Sequence, residues 1–266
     1  MGGAGSGIVV SGLAIAPVKG LRLCPVDSVV IGEHGVRANR RFFLIDARER
    51  MVNANRLGVL ETVVADYSDA DRVLSLTFPD GDVVAGEVAL GSQVEPRFYS
   101  SSLPARLVEG PWSAALSALV GQPLRLVEPL DEAGSVDRGS GGAVSLISRA
   151  SLDRLASEAG TDSVDARRFR MLVEIDGVDA HAEDVWVGRV VQIGEATVRF
   201  AGHVGRCRIT SRHPETGVTD LPTLDLLRSY RRDEHTTEPL PFGIYGDVRV
   251  PGVVRVGDAV ALDGAG

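Results

Sequence analysis

The segment GHVGRCRITS, residues 202–211, contains one of only two cysteines in the 266-residue chain. Arginine flanks Cys207 on both sides. Nearby positive charge favours the thiolate, so this thiol is expected to lose its proton easily. The thiolate is the form of cysteine that attacks electrophiles or binds a soft metal. A single cysteine is more often a small buried hydrophobe, so the segment alone leaves both interpretations open.

The composition is that of an ordinary soluble globular protein, with 44% hydrophobic and 24% charged residues. The formal net charge of −8 argues against nucleic acid as a partner. Cys24 and Cys207 lie too far apart to form a disulfide framework, and no cysteine–histidine cluster has zinc-ligand spacing. The glycine-rich residues 1–7 are expected to be flexible, and they resemble neither a signal peptide nor a membrane anchor. We therefore expect a cytoplasmic protein that does not associate with membranes.

Short apolar runs separated by turn signals recur along the chain and predict a mostly β structure with a few helices. The strongest hairpin signal is PDGD at 79–82, between predicted strands at 73–78 and 83–90. Other strands are predicted over residues 8–16, 26–31, 41–46, 59–67, 124–127, 171–175, 185–188, 190–193, 196–200, 207–210 and 243–262. Helices are predicted over residues 112–120, 148–158 and 222–231. This α+β pattern favours a barrel or sandwich over a parallel α/β sheet.

Residues 131–142 are rich in glycine, serine and aspartate, which is typical of a loop. This stretch is the best candidate for a domain junction. The chain is therefore divided into a flexible start at 1–7, a first β domain at 8–130 and a second domain at 131–264.

Cations lie at several predicted loop–strand boundaries, and glycines lie near them. The cations are Lys19, Arg40, Arg41, Arg167, Arg168, Arg170, Arg206 and Arg208. The glycines are Gly20, Gly139, Gly141, Gly142 and Gly205. Guanidinium groups and backbone N–H groups together can hold a phosphate, but solvated surface charge explains the same pattern. His203, four residues before Cys207, is an alternative partner as the base of a Cys/His enzyme.

Several motifs in one order resemble the MOSC superfamily, named for the C-terminal domain of molybdenum cofactor sulfurase. They include Pro17-Val18-Lys19-Gly20, Arg41-Phe42-Phe43-Leu44, Arg168-Phe169-Arg170 and Arg206-Cys207-x-x-Thr210. The resemblance covers nearly the whole chain and extends to bacterial stand-alone members and the mitochondrial amidoxime-reducing components. It implies a MOSC-type β-barrel at 131–264, preceded by an N-terminal β-barrel-like MOSC domain at 8–130.

The resemblance also implies a site. Cys207 takes the position of the protein ligand of molybdenum in a pterin cofactor, which agrees with the preference of molybdenum for soft thiolate sulfur. The matching cofactor-binding positions are Lys19, Gly20, Arg41, Asp137, Ser140, Gly142, Arg168, Arg170, Gly205 and Arg206.

Two departures from the family pattern affect details of cofactor contact. Met171 and Leu172 stand where relatives often have proline and asparagine, so an asparagine contact is missing. Ser140, Gly141 and Gly142 stand where relatives tend to have an acidic or hydroxyl residue, and Asp137 is a candidate to compensate.

The function implied is a molybdenum-cofactor oxidoreductase that reduces N-hydroxylated small molecules such as amidoximes and N-hydroxy bases. No ferredoxin-like cysteine cluster is present, so electrons are expected from a separate reductase or iron–sulfur protein. Two alternatives stay open. In one, Cys207 carries a persulfide as a sulfur carrier or transferase; in the other, the chain is a non-catalytic cofactor-binding module. On the β strand predicted at 207–210, Arg208 would point to the face opposite Cys207.

Overall fold

The chain folds into several sheets joined by short turns, and the computed structural model describes residues 7–130 and 142–262. Strands account for 43% of the chain and helices for 20%, which confirms the predicted mostly β, α+β fold. The closed barrels implied by the resemblance stay a prediction. Within the described ranges, none of the helices combines the length and the apolar character needed to cross a membrane.

The strands in the first half are β1 (Val9–Ile15), β2 (Cys24–Val26), β3 (Ser28–Gly32), β4 (Gly35–Val36), β5 (Phe43–Asp46), β6 (Met51–Val52), β7 (Val64–Ser68), β8 (Val73–Thr77), β9 (Val83–Glu87), β10 (Ala89–Val94), β11 (Arg97–Phe98), β12 (Ser101–Ser102), β13 (Ala105–Glu109) and β14 (Leu124–Pro129). Those in the second half are β15 (Val144–Ser148), β16 (Val173–Asp176), β17 (Val190–Ile193), β18 (Ala196–Gly205), β19 (Pro241–Val250), β20 (Gly252–Arg255) and β21 (Val260–Leu262). The α-helices are α1 (Trp112–Val120), α2 (Arg149–Ala159) and α3 (Thr223–Arg231). Short 3₁₀ helices cover Gly58–Thr62, Ala166–Phe169, Ala182–Trp186 and Arg208–Ser211.

The largest sheet contains eight strands in the order β2-β1-β16-β15-β19-β18-β17-β21. Its strand β18 alternates buried and more exposed positions from Ala196 to Gly202, as a half-buried strand requires. Val10, Ile175, Phe200 and Ile244 lie in the apolar cluster that this sheet buries. The first strand of the chain therefore pairs with β16 from the second half, and Cys207 lies two residues after the end of the long strand β18.

A second core lies in the first half of the chain. The sheet β10-β13-β14-β5-β6 and the three-stranded sheet β7-β8-β9 enclose it together with α1. Trp112 is fully buried there, and its indole N–H donates to the carbonyl of Leu74 at 3.1 Å. The pairing of β8 with β9 confirms the hairpin predicted at 79–82. The predicted domain division at residue 131 is not tested by these pairings and stays a prediction.

Two predicted strands are wrong, and a third is confirmed only in its second part, as β7. The segment at 207–210 is the 3₁₀ helix Arg208–Ser211, and the segment at 185–188 overlaps the 3₁₀ helix Ala182–Trp186. The first part of the segment at 59–67 is the 3₁₀ helix Gly58–Thr62. Short apolar runs do not distinguish a strand from a turn of helix. Strand alternation therefore says nothing about the direction of Arg208.

The three predicted helices are confirmed, and α2 shows why its sequence forms a helix at that point. Ser148 is the N-cap, and its side chain accepts from the backbone N–H of Ser151 at 3.2 Å. The same hydroxyl donates to Glu183 Oε2 at 2.8 Å, and the Ser151 hydroxyl donates to Glu183 Oε1 at 2.8 Å. All three side chains are buried, so the helix start and a buried carboxyl group stabilise each other.

Replacing Ser148 by alanine is expected to lower the free energy of unfolding by about 2 kcal/mol, because the cap is lost and Glu183 loses a donor. Urea unfolding at neutral pH measures the change. Ser229→Ala is the control. The Ser229 hydroxyl donates to the carbonyl of Leu226 on the exposed face of α3, so its loss should lower the free energy of unfolding by less than about 0.5 kcal/mol. Equal effects of the two substitutions would contradict the assigned role of Ser148.

Candidate functional site

A cavity of about 420 Å³ lies next to Cys207 and is lined by segments from both halves of the chain. From the first half it is lined by Lys19, Gly20, Arg40, Asn53, Asn55 and Tyr99. From the second half it is lined by Gly142, Ser145, Phe169, Arg170, Met171, Val204, Arg206, Cys207, Ile209 and Tyr245. Seven of the residues singled out from the sequence therefore meet in space: Lys19, Gly20, Arg40, Gly142, Arg170, Arg206 and Cys207.

Cys207 lies where the chain leaves the large sheet. Its backbone is extended, with φ −125°, and the residue is exposed rather than buried. Its carbonyl accepts from the backbone N–H of Thr210 at 3.1 Å and from the Thr210 hydroxyl at 2.9 Å. These two bonds fix the turn that follows, so an accessible thiol is held at the cavity by a rigid segment. The interpretation of Cys207 as a buried hydrophobe is wrong.

Arg206 is bound to the main chain of two neighbouring segments. Its Nε donates to the carbonyl of Phe242 at 2.7 Å, and its Nη1 donates to the carbonyl of Phe169 at 2.9 Å. Its guanidinium also lies 5.3 Å from the centroid of the Phe169 ring. Guanidinium groups present several donors in a rigid plane, which suits this kind of bridging. Arg206 therefore positions the residue beside it, Cys207, relative to the cavity wall.

Arg170 and Arg40 meet across the cavity, and both adopt left-handed backbone conformations, with φ 55° and 56°. Arg40 Nη2 donates to the carbonyl of Arg170 at 2.7 Å. Arg170 Nη1 donates to both carboxyl oxygens of Glu61 at 3.1 Å, and its Nη2 donates to the carbonyl of Leu21 at 2.6 Å. The buried carboxylate of Glu61 thus binds Arg170, and Arg40 is joined to the same residue through its carbonyl. Strained backbone of this kind is common at functional sites.

Lys19 is buried beside these arginines. Burial, together with the charges of Arg40 and Arg170, holds the pKa of Lys19 well below its ordinary value of 10.5, while a negative charge on Cys207 raises it. Its Nζ lies 5.6 Å from the ring centroid of Tyr99. Three cations and a thiol therefore act on one another within a small space, an arrangement that an anion would stabilise.

Gly20 follows Lys19 with φ +92°, a conformation that glycine adopts readily. A Cβ atom at this position would lie 2.8 Å from both Cα and Cβ of Asn53. The backbone of residue 20 therefore approaches the 53–55 segment more closely than any other residue would allow, and this approach forms one wall of the cavity.

The other predicted site residues are placed differently. Arg41 does not line the cavity: its guanidinium forms a salt bridge with Glu128 of β14. Arg168 pairs with Asp220, with contacts of 2.6 and 2.8 Å, and also lies outside the cavity lining. Gly205 pairs with Pro241 across β18 and β19. Asp137 and Ser140 lie outside the described residues.

His203 is placed away from the thiol as well. Its Nδ1 lies 3.2 Å from the Thr237 hydroxyl, its Nε2 lies 4.0 Å from Asp184 Oδ1, and the residue does not line the cavity. The arrangement does not support His203 as a base for Cys207.

The sequence reasoning did not single out Asn53, Asn55, Tyr99, Ser145 or Tyr245 as site residues. Asparagine and serine are ordinary loop residues, so they give no signal of their own. Arg40 was part of the predicted cation cluster, but the family motif selected its neighbour Arg41. Across residues 7–130 and 142–262, no group of three or more His, Cys, Asp or Glu side chains is arranged to hold a metal ion.

Comparison with known proteins agrees with the predicted resemblance. Residues 133–261 match the family model of the MOSC domain. Mitochondrial amidoxime-reducing component 1 of Xenopus laevis is 25% identical over 285 aligned positions, covering 95% of this chain and 81% of the relative. The human protein of the same name is 29% identical over 295 positions, covering 96% of this chain and 83% of the relative. Among solved structures, the YuaD protein of Bacillus subtilis superposes with a TM-score of 0.45 at 12% identity, covering 96% of this chain and 94% of that one.

Residues 133–261 thus form a MOSC domain, in the second half of the chain. Over almost its whole length the chain is also similar, at 25–29% identity, to the mitochondrial amidoxime-reducing components.

Proposed function

We propose that this chain binds the molybdenum cofactor with Cys207 as the protein ligand of molybdenum, and that it reduces N-hydroxylated small molecules such as amidoximes and N-hydroxy bases. One observation carries the proposal: the exposed Cys207 lines a cavity whose other wall holds Lys19, Arg40 and Arg170. The names of the relatives, amidoxime-reducing components, support the reaction class.

The residues present fit the cofactor. The close approach of Gly20 to Asn53, the buried Lys19 and the guanidinium groups of Arg40 and Arg170 form a cationic recess that suits the anionic group of a pterin cofactor. Lys19, Gly20, Arg40, Gly142 and Arg170 would hold that end. A thiolate at Cys207 is the soft donor that molybdenum prefers. Arg41, Arg168 and Gly205 would then act from outside the cavity, by supporting the segments that line it.

When bound, the cofactor would supply the two-electron chemistry, while the protein supplies orientation and electrostatics. Conversion of an N–OH group to N–H consumes two electrons and two protons and releases water. The chain's own part is threefold. Arg206 fixes the direction of Cys207, the arginines and Lys19 neutralise negative charge, and the cavity limits which molecules reach the thiol.

The electrons would come from a separate reductase or iron–sulfur protein, and the substrate would be a small molecule. The relatives' names point to the same substrate class. We place this activity in the cytoplasm.

Metal analysis of the wild-type protein, purified from a host that makes the cofactor, tests the proposal. About one molybdenum per chain is expected, together with reduction of an amidoxime when a reductase is supplied. Protein without molybdenum that carries labile sulfane sulfur on Cys207 would instead support the sulfur carrier, which an exposed thiol also permits. Protein that holds molybdenum but turns over no N-hydroxy compound with any donor would support the non-catalytic module.

A further inference from the structure

A small hairpin from the first half of the chain brings one aromatic side chain to the cavity. Strands β11 and β12 pair through Arg97 with Ser102 and Phe98 with Ser101, so Tyr99 lies at the tip. The residue is 59% exposed, yet it lines the same cavity as Cys207.

The backbone at Tyr99 is strained and firmly held. Its φ is +54°, a left-handed conformation that is unusual for a bulky residue. Phe98, next to it, is buried and packs edge-to-face on Phe43 with ring centroids 5.3 Å apart. Arg97 Nε donates to the carbonyl of Tyr99 at 3.2 Å. The hairpin thus keeps the ring in one place at a conformational cost, which is the pattern seen where a residue contacts a ligand.

The ring also has a defined electrostatic setting. The Nζ of Lys19 lies 5.6 Å from its centroid, and the Phe98 ring packs against it edge-to-face at 5.1 Å. Lys19 is buried in the cavity wall, whereas the neighbouring Tyr99 is 59% exposed. The Tyr99 ring is therefore the part of this lining that a molecule entering from solvent would meet, next to the cations that suit the anionic group of a cofactor.

We propose that Tyr99 is a specificity-determining residue that stacks on the planar part of the substrate, so that the site prefers aryl and other conjugated N-hydroxylated compounds to aliphatic ones. This inference rests on the proposed function and adds the substrate subclass to it. Stacked aromatic pairs provide a modest gain beyond the area that they bury. The cavity lining contains two other aromatic residues, but Phe169 is buried and Tyr245 is partly buried, so Tyr99 is the one of these three rings that is exposed.

Two substitutions distinguish the effect of the Tyr99 ring from the effect of the backbone conformation at residue 99. Tyr99→Phe keeps the ring, whereas Tyr99→Asn removes it and places at residue 99 a side chain that tolerates a left-handed backbone. Calorimetry on the cofactor-loaded protein would measure the binding of benzamidoxime and of acetamidoxime, its methyl counterpart. In Tyr99→Asn, benzamidoxime binding should weaken roughly three- to tenfold and acetamidoxime binding should change less than about twofold. Tyr99→Phe should bind both as the wild type does, and the molybdenum content of all three proteins should be equal.

Loss of molybdenum in Tyr99→Asn would overturn the inference, because the ring would then contact the cofactor. An equal loss of affinity for both amidoximes, or none for either, would overturn it too. Binding does not depend on turnover, so Tyr99-dependent binding without reduction supports this inference while the proposed reaction fails. If Tyr99→Asn reduces amidoximes with unchanged selectivity, the proposed reaction is supported and the inference about Tyr99 fails. If the wild-type protein binds neither amidoxime, the proposed reaction and the inference about Tyr99 both fail.

Discussion

Cys207→Ser is expected to lose its molybdenum and to reduce N-hydroxy substrates at least roughly 100-fold more slowly, while it stays folded. Serine is nearly the same size as cysteine, but its hydroxyl stays protonated at neutral pH and is a poor ligand for a soft metal. Loss of a group that only orients a metal ligand typically costs roughly 10–100-fold, so loss of the ligand itself should cost more. Cys207 is exposed, so its replacement should change the free energy of unfolding by less than about 0.5 kcal/mol.

The measurement is molybdenum per chain, combined with urea unfolding of the cofactor-free proteins. The other cysteine provides a matched control. Cys24 is only partly exposed, its thiol lies 3.9 Å from the carbonyl of Arg22, and it does not line the cavity. Cys24→Ser should therefore keep its molybdenum. If Cys207→Ser retained stoichiometric molybdenum, or if both variants lost it alike, Cys207 would not be the ligand.

The sequence predicted the fold class and the helices because their signals are local. α1, α2 and α3 each combine a start signal with apolar residues at helical spacing. The turn after Cys207 was predicted as a strand, because the bonds from Thr210 to the Cys207 carbonyl involve a side chain and leave no periodic pattern. Serine and threonine are common, so a threonine three residues after Cys207 does not by itself identify such a turn.

The convergence of Lys19, Arg170 and Arg206 on Cys207 was predicted through the resemblance alone, since residue spacing does not show which segments meet. The family motif selects Arg41 as the cofactor-binding residue, whereas Arg40 lines the cavity. The two are adjacent, and their directions depend on the left-handed backbone at Arg40 and on Glu128, a partner 87 positions further along the chain from Arg41. The sequence did not predict Tyr99 as a site residue for a related reason. Its position at the cavity depends on a strained hairpin tip, and residue types alone do not reveal that strain.

Arg170→Met should destabilise the fold by about 3–5 kcal/mol, because it leaves the Glu61 carboxylate buried without its main partner. Both side chains are buried, at 10% and 4% exposure, so solvent does not replace the lost contacts. Methionine fills much of the arginine volume and removes only the charge and the donors. Urea unfolding at neutral pH would measure the loss.

The sign of the pH dependence identifies the cause. Burial raises the pKa of Glu61 above its ordinary 4.5, although Arg170 pulls it down. Without Arg170 this pKa rises further, and an acid whose folded pKa is raised destabilises the folded state while it is ionised. As the pH falls from neutral through that raised value, Glu61 becomes neutral, so the difference in stability between Arg170→Met and the wild type should shrink. Other carboxylates titrate alike in both proteins and cancel in the difference.

A second substitution isolates the charge from the other contacts. In the double variant Arg170→Met with Glu61→Gln, the buried group is neutral at every pH, so most of the lost stability should return. The difference in stability between the double variant and the single variant Glu61→Gln should not depend on pH. About 1 kcal/mol should stay lost, because the bond from Arg170 to the Leu21 carbonyl is also gone. If the double variant were as unstable as Arg170→Met at neutral pH, the destabilisation would come from packing, and the Arg170–Glu61 pair would not be what holds this wall of the cavity in place.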